Sequence, residues 1–95
     1  MTTGTHKRES TIRIDVACRD FKGKLFDPDT HSHKIFDPSD TQKDEETNPT
    51  RESLGKFYFY YTIPSDGTVG TWKVVAKAVG SSYTSIEEKT FEVVA

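Results

Sequence analysis

The sequence predicts an all-β domain in which two sheets pack face to face. Three observations carry this reading. Apolar residues alternate with polar ones along residues 12–18, and the runs 57–63 and 71–79 show the same period of two, the pattern of half-buried strands. Clusters of Gly, Pro, Asp and Ser separate these runs and mark turns. No window places apolar residues at helical spacing over three turns. The pattern yields five or six strands, about the minimum for two packed sheets.

The elements follow in chain order. Residues 1–10 are polar and read as a disordered lead-in or linker. Ile12, Ile14, Val16 and Cys18 alternate with Arg13, Asp15 and Ala17, which predicts a β-branched strand with one buried face. Arg19 to Lys24 read as a turn, and Asp27-Pro28-Asp29 as another. His31 to Phe36 form a weaker strand, with His33 and Ile35 on one face. Residues 38–53 are sixteen positions without an aliphatic or aromatic side chain. They predict a long polar loop that adds nothing to a core, with room for a polar edge strand inside it.

Phe57, Phe59, Tyr61 and Ile63 face one way along the next strand, with Tyr58, Tyr60 and Thr62 opposite. Pro64-Ser65-Asp66-Gly67 ends that strand in a turn. Trp72, Val74, Ala76 and Ala78 then line the inner face of another, and Gly80-Ser81-Ser82 turns the chain back. Phe91 and Val93 face inward on the last strand, which Ser85 to Lys89 are expected to interrupt. The expected core is Ile12, Ile14, Val16, Ile35, Phe57, Phe59, Tyr61, Ile63, Trp72, Val74, Phe91 and Val93.

Ninety-five residues suffice for one domain. Leu, Ile, Val and Phe together make up only about a fifth of the chain, near the composition at which disorder begins. A net charge of −2 and 12% aromatics argue for a folded chain with a small, ring-rich core. Charges of both signs are dispersed, and no basic run extends beyond Lys7-Arg8. Nucleic-acid binding therefore lacks an electrostatic footprint, and neither a membrane span nor a polybasic anchor is written in the chain. Cys18 is the single cysteine, so no disulfide forms within the domain. Its place on an apolar face reads as a buried small hydrophobe, with a reactive or intermolecular thiol as the alternative.

Residues 55–74 also carry a family resemblance. Gly55-Lys56-Phe57-Tyr58-Phe59, then Ile63-Pro64-Ser65-Asp66, then Gly70-Thr71-Trp72-Lys73-Val74 resemble a pattern of bacterial and archaeal immunoglobulin-like domains, the macroglobulin-like domains of large surface proteins among them. Ile35-Phe36-Asp37-Pro38 and Phe91-Glu92-Val93-Val94 are similar to flanking strands of such domains. The resemblance implies an immunoglobulin-like β-sandwich of two antiparallel sheets, with about six to seven strands over residues 11–95. It also implies a non-catalytic structural or protein-interaction module of a larger surface, secreted or virion-type protein. Its partners would be neighbouring domains or another protein, and its setting the cell surface or the extracellular space.

Two side-chain groups suggest an alternative, a carbohydrate- or metal-binding module. Tyr58 and Tyr60 on an outer face can stack on a sugar or anchor a partner. His31 and His33, two apart on a strand, point to the same side, and Asp29 and Asp37 lie nearby in sequence as further metal ligands. The same aspartates equally serve to shape turns beside Pro28 and Pro38. Nothing matches a nucleophile elbow, a phosphate-cradling loop or a Cys-His pair, and no cofactor is implied. Weak self-association through an exposed edge strand is a further expectation.

Overall fold

A computed structural model describes residues 2–80 and 83–95; Ser81 and Ser82 of the expected turn lie outside them. Eight strands are described: β1 (Thr2–Lys7), β2 (Thr11–Ala17), β3 (Thr30–Phe36), β4 (Gln42–Glu46), β5 (Thr50–Ser53), β6 (Lys56–Thr62), β7 (Gly70–Val79) and β8 (Thr84–Val94). They form a five-stranded sheet in the order β1-β8-β7-β3-β4 and a three-stranded sheet in the order β2-β6-β5.

Alternation along the central strands builds the core. On β2 and β6 the pairs Ile12–Tyr61, Ile14–Phe59 and Val16–Phe57 stand opposite one another and turn inward. The facing sheet supplies Ile35 from β3, Trp72, Val74, Ala76 and Ala78 from β7, and Phe91 and Val93 from β8. All twelve expected core residues are buried, and so is Cys18. At one end Trp72 packs on Phe91, with ring centroids 5.8 Å apart, and on Tyr61 at 6.3 Å. The indole N–H donates to the carbonyl of Thr68 at 2.7 Å, so this fully buried ring leaves no polar atom unpaired. Toward the other end β7 offers only Ala76 and Ala78, which lie opposite His33 and His31 in the register. The small methyls leave room for two imidazoles.

Four expectations need correction. Residues 2–7 are not a disordered lead-in but strand β1, which runs parallel to the end of β8, from Thr2 beside Thr90 to Lys7 beside Val94. An edge strand gains its stability from backbone pairing, so it need not carry the apolar alternation that the sequence reading relied on. Second, β1 adds a parallel pair to the larger sheet, while residues 11–95 hold the seven described strands β2–β8, all paired antiparallel, as the expected six to seven require. Third, residues 38–53 are not one long loop. They hold β4, paired with β3, and β5, paired with β6 on the opposite sheet, with the crossing made at Thr47-Asn48-Pro49.

Fourth, β8 is continuous through Ser85 to Lys89. Its polar inward positions have a task. The outer edge of β2 has no neighbouring strand, and β8 side chains satisfy its backbone. Glu87 accepts from the Ala17 N–H at 3.3 Å, Ser85 accepts from the Arg19 N–H at 3.2 Å, and Lys89 donates to the Asp15 carbonyl. Two further edges carry exposed charge: Lys43, Asp44 and Glu45 on β4, and Arg51 and Glu52 on β5. Both devices discourage edge-to-edge pairing.

Candidate functional site

The segment between β2 and β3 opens with a miniature hairpin. Arg19 bridges to Leu25, the Asp20 N–H bonds the Lys24 carbonyl at 2.9 Å, and the Gly23 N–H bonds the Asp20 carbonyl at 2.9 Å. The Asp20 carboxylate accepts from the N–H groups of Lys22 and Lys24 at 2.9 and 3.0 Å, and the Arg19 guanidinium reaches the Gly23 carbonyl at 3.0 Å. Gly23 takes φ +82°, a conformation most side chains resist. This network fixes the loop, and at its tip Phe21 stands 81% exposed.

The hairpin is stitched to the rest of the pole. The Cys18 N–H donates to the Gly55 carbonyl at 2.7 Å, and the Phe26 N–H to the Cys18 carbonyl at 3.0 Å. The Gly55 N–H donates to the Asp27 carboxylate at 2.9 Å, and Arg51 pairs with the same group at 3.1 Å. These contacts hold the Asp27 pKa below the ordinary carboxylate value, the Gly55 bond most of all. Tyr83, on the far side of the β7–β8 connection, packs against Phe26 at 5.6 Å and Phe21 at 6.0 Å. Ile86, which lines a cleft together with Phe21, is 68% exposed, and Leu54 in the β5–β6 connection is exposed as well. Two clefts flank Phe21. One, of about 560 Å³, runs between the hairpin and the start of β8. The other, of about 360 Å³, lies against Phe26 and Tyr83. The Cys18 thiol beneath is buried, and burial pushes its pKa up to about 11, so it is an unreactive part of the core.

The candidates named from sequence lie elsewhere. Tyr58 and Tyr60 stand on the outer face of the smaller sheet, edge to face at 5.8 Å. The Arg13 guanidinium lies 4.0 Å from the centre of the Tyr58 ring and is held there by Asp15 and Glu52. Only Tyr60, 61% exposed, is an open ring, so the pair does not make a two-ring sugar platform.

His31 and His33 do meet, with Nδ1 of His31 3.1 Å from Nε2 of His33. The pair faces inward: His31 packs edge-on to Phe57 at 4.4 Å and His33 stacks on Phe59 at 5.5 Å. Burial, and then His31, push the His33 pKa down to about 4, and burial lowers that of His31. Asp29 and Asp37 sit just beyond opposite ends of β3 and do not join the histidines. Asp37 is buried as a turn cap, accepting from the N–H groups of Ser39 and Thr41 at 2.9 and 3.0 Å. Among the described residues no group of three or more His, Cys, Asp or Glu side chains could hold a metal. The metal expectation is thereby corrected: this is an aromatic core with a histidine pair in it.

The sequence reading passed over Phe21, Leu54, Tyr83 and Ile86. One signal was available, a phenylalanine set inside the Asp, Gly and Lys residues of a turn, where burial is not expected.

No protein-family model and no curated protein sequence matches the chain. Solved structures do. A domain of the native conformation of Escherichia coli alpha-2-macroglobulin superposes with a TM-score of 0.72 at 16% identity, over 96% of this chain. The chain spans about 5% of that protein's length. The filamin domain of Lin-41 superposes with a TM-score of 0.59 at 19% identity, over 95% of this chain and 82% of that one.

The fold is immunoglobulin-like. In the strand letters of that fold, β2, β6 and β5 correspond to B, E and D, and β3, β7, β8 and β4 to C, F, G and C′. Antibody domains pin their two sheets with a B–F disulfide against a tryptophan on strand C. This immunoglobulin-like domain has one cysteine, at the end of B, carries its tryptophan on F, and places His33 on C. Its Phe21 and Tyr83 belong to the B–C and F–G loops, which in antibody variable domains form part of the contact surface at one end.

Proposed function

We propose that this immunoglobulin-like domain is a non-catalytic interaction module of a larger surface, secreted or virion-type protein, and that it engages neighbouring domains or another protein through its B–C/F–G pole. One observation carries the reading. Among the described residues, Phe21, Leu54, Tyr83 and Ile86 expose large apolar side chains around this pole, drawn from three separate connections and the start of β8. Single exposed apolar residues are ordinary, whereas a cluster mounted on a hydrogen-bonded scaffold is the usual form of a contact surface. The similarity to one part of a much longer macroglobulin supports the place in a larger protein.

A photo-crosslinking amino acid at position 21 tests this, with the same label at position 60 as the control for general stickiness. In cells that express the protein, position 21 should yield a discrete adduct that position 60 does not. Identical adduct profiles from the two positions, or none from position 21, would refute the pole as the contact surface.

A further inference from the structure

We infer that the Phe21 hairpin receives an acidic polypeptide segment, with an apolar side chain of that segment seated in a cleft beside the Phe21 ring. The inference rests on the pole being the contact surface and adds the chemistry of what it contacts.

Charge is the first argument. The chain carries a net charge of −2, yet Arg19, Lys22 and Lys24 place three cations on one exposed hairpin of seven residues. Among the described residues none of the three forms an ion pair. The acids within reach are already engaged. Asp20 is held by the N–H groups of Lys22 and Lys24, Glu87 by Lys89 and the Ala17 N–H, and Asp27 by Arg51 and the Gly55 N–H. The Asp20 carboxylate, bonded to backbone N–H groups and not to a cation, offsets one of the three charges, so the hairpin presents a net charge of +2 (three cations less one acid), which a partner with carboxylates completes. The Lys22 ammonium lies 5.7 Å from the centre of the Phe21 ring, so charge and apolar surface share one tip.

Shape is the second argument, and it separates a polypeptide from a lipid surface. A cationic loop with an exposed aromatic also suits an anionic membrane. A membrane, however, presents no side chains to fill concave spaces. Phe21 stands between two clefts, one bordered by Ala17 and Ile86 and the other by Phe26 and Tyr83. Such hollows on either side of an aromatic anchor match side chains spaced along an extended peptide. The scaffold is already formed, which reduces the ordering cost of binding.

The test titrates the isotope-labelled chain with three synthetic peptides of equal length. One is rich in glutamate with a central leucine, one replaces every glutamate by glutamine, and one replaces the leucine by serine. Vesicles of phosphatidylcholine with phosphatidylserine form a fourth arm. The acidic leucine peptide should shift amide resonances of residues 19–25 and 83–87, with an affinity that falls as salt is raised. Lys22→Glu combined with Lys24→Glu should weaken it by roughly tenfold or more. Phe21→Ser should weaken it with the fold unchanged, whereas Tyr60→Ser should leave it as it was. Equal binding of the glutamine peptide at the same residues would overturn the acidic class and leave the pole as the contact surface. Binding of the acidic peptide away from residues 19–25, no binding of it, or binding of vesicles in its place would overturn the inference itself.

Discussion

The imidazole of His33 lies nearly parallel to the ring of Phe59, 26° apart with centroids at 5.5 Å, while its Nε2 meets Nδ1 of His31 at 3.1 Å. His33 is wholly buried, and its own Nδ1 has no hydrogen-bond partner among the described residues. A proton on this ring would sit against aromatic carbon and beside a second imidazole, which is why its pKa falls to about 4.

Stability should therefore depend on pH through this pair. Between about 6.5 and about 4 the unfolded imidazole binds a proton and the folded one does not. The unfolded state is then favoured, so stability is fully present above about 6.5 and declines as the pH falls toward 4. The loss should reach about 3 kcal/mol. Urea unfolding at pH 7.5, 5.5 and 4.5 measures it. Glu46 faces His33 across the β3–β4 pair. The His33→Leu variant isolates the histidine contribution, and it should flatten the slope between pH 7 and 5. An unchanged slope in that variant would assign the dependence to other groups.

Trp72→Ala should cost about 3–5 kcal/mol, since it empties the middle of the Tyr61–Trp72–Phe91 stack. Trp72→Phe should cost less, because the ring stays and the bond to the Thr68 carbonyl is lost. Trp72 is the single tryptophan, so both variants are followed by circular dichroism during urea unfolding, while fluorescence reports on the native chain.

The seal between β8 and the open edge of β2 makes its own prediction. Lys89 is buried, donates to the Asp15 carbonyl and lies 3.5 Å from Glu87. Lys89→Ala leaves the Asp15 carbonyl without this donor while Glu87 keeps the Ala17 N–H, and it should cost about 1–3 kcal/mol. Amide exchange at Ala17 and Arg19, whose N–H groups bond Glu87 and Ser85, should accelerate more than exchange at Ile14. Uniform acceleration across β2 would indicate general destabilisation in place of a local seal.

Two glycines separate backbone strain from steric conflict. Gly55 has φ +69°, and a Cβ there would lie 2.8 Å from Leu25 Cβ and 2.9 Å from the Phe26 nitrogen. Gly23 has φ +82°, and a Cβ there meets nothing within 4 Å. Gly23→Ala should cost about 1 kcal/mol for the backbone alone, and Gly55→Ala about twice that or more. Melting temperatures should fall in that order. Equal shifts would show that the pole relaxes around the added methyl.

The alternation of Ile12, Ile14 and Val16, of Phe57, Phe59 and Tyr61, and of Trp72 and Val74 was legible because each strand's burial pattern is local. Strands β1, β4 and β5 were not, since polar edge strands exist only where a neighbour offers its backbone. The candidate site was equally hidden. Phe21 and Tyr83 are sixty-two positions apart, and no local pattern brings them to one pole.

The sequence by itself thus determined the sandwich, since two apolar faces in water have to cover one another. It placed Cys18 on the apolar face of its strand in the same way, and the packed sheets decided that the thiol is buried. The tertiary structure decided what lies beyond one strand's length: β1 parallel to β8, the histidine pair accommodated beneath Ala76 and Ala78, and the polar residues of β8 closing the edge of β2. It also decided the gathering of Phe21, Tyr83 and Ile86 around one cationic hairpin. Burial periodicity is written residue by residue, whereas edge pairing and loop convergence depend on which distant segments the packed sheets bring within reach.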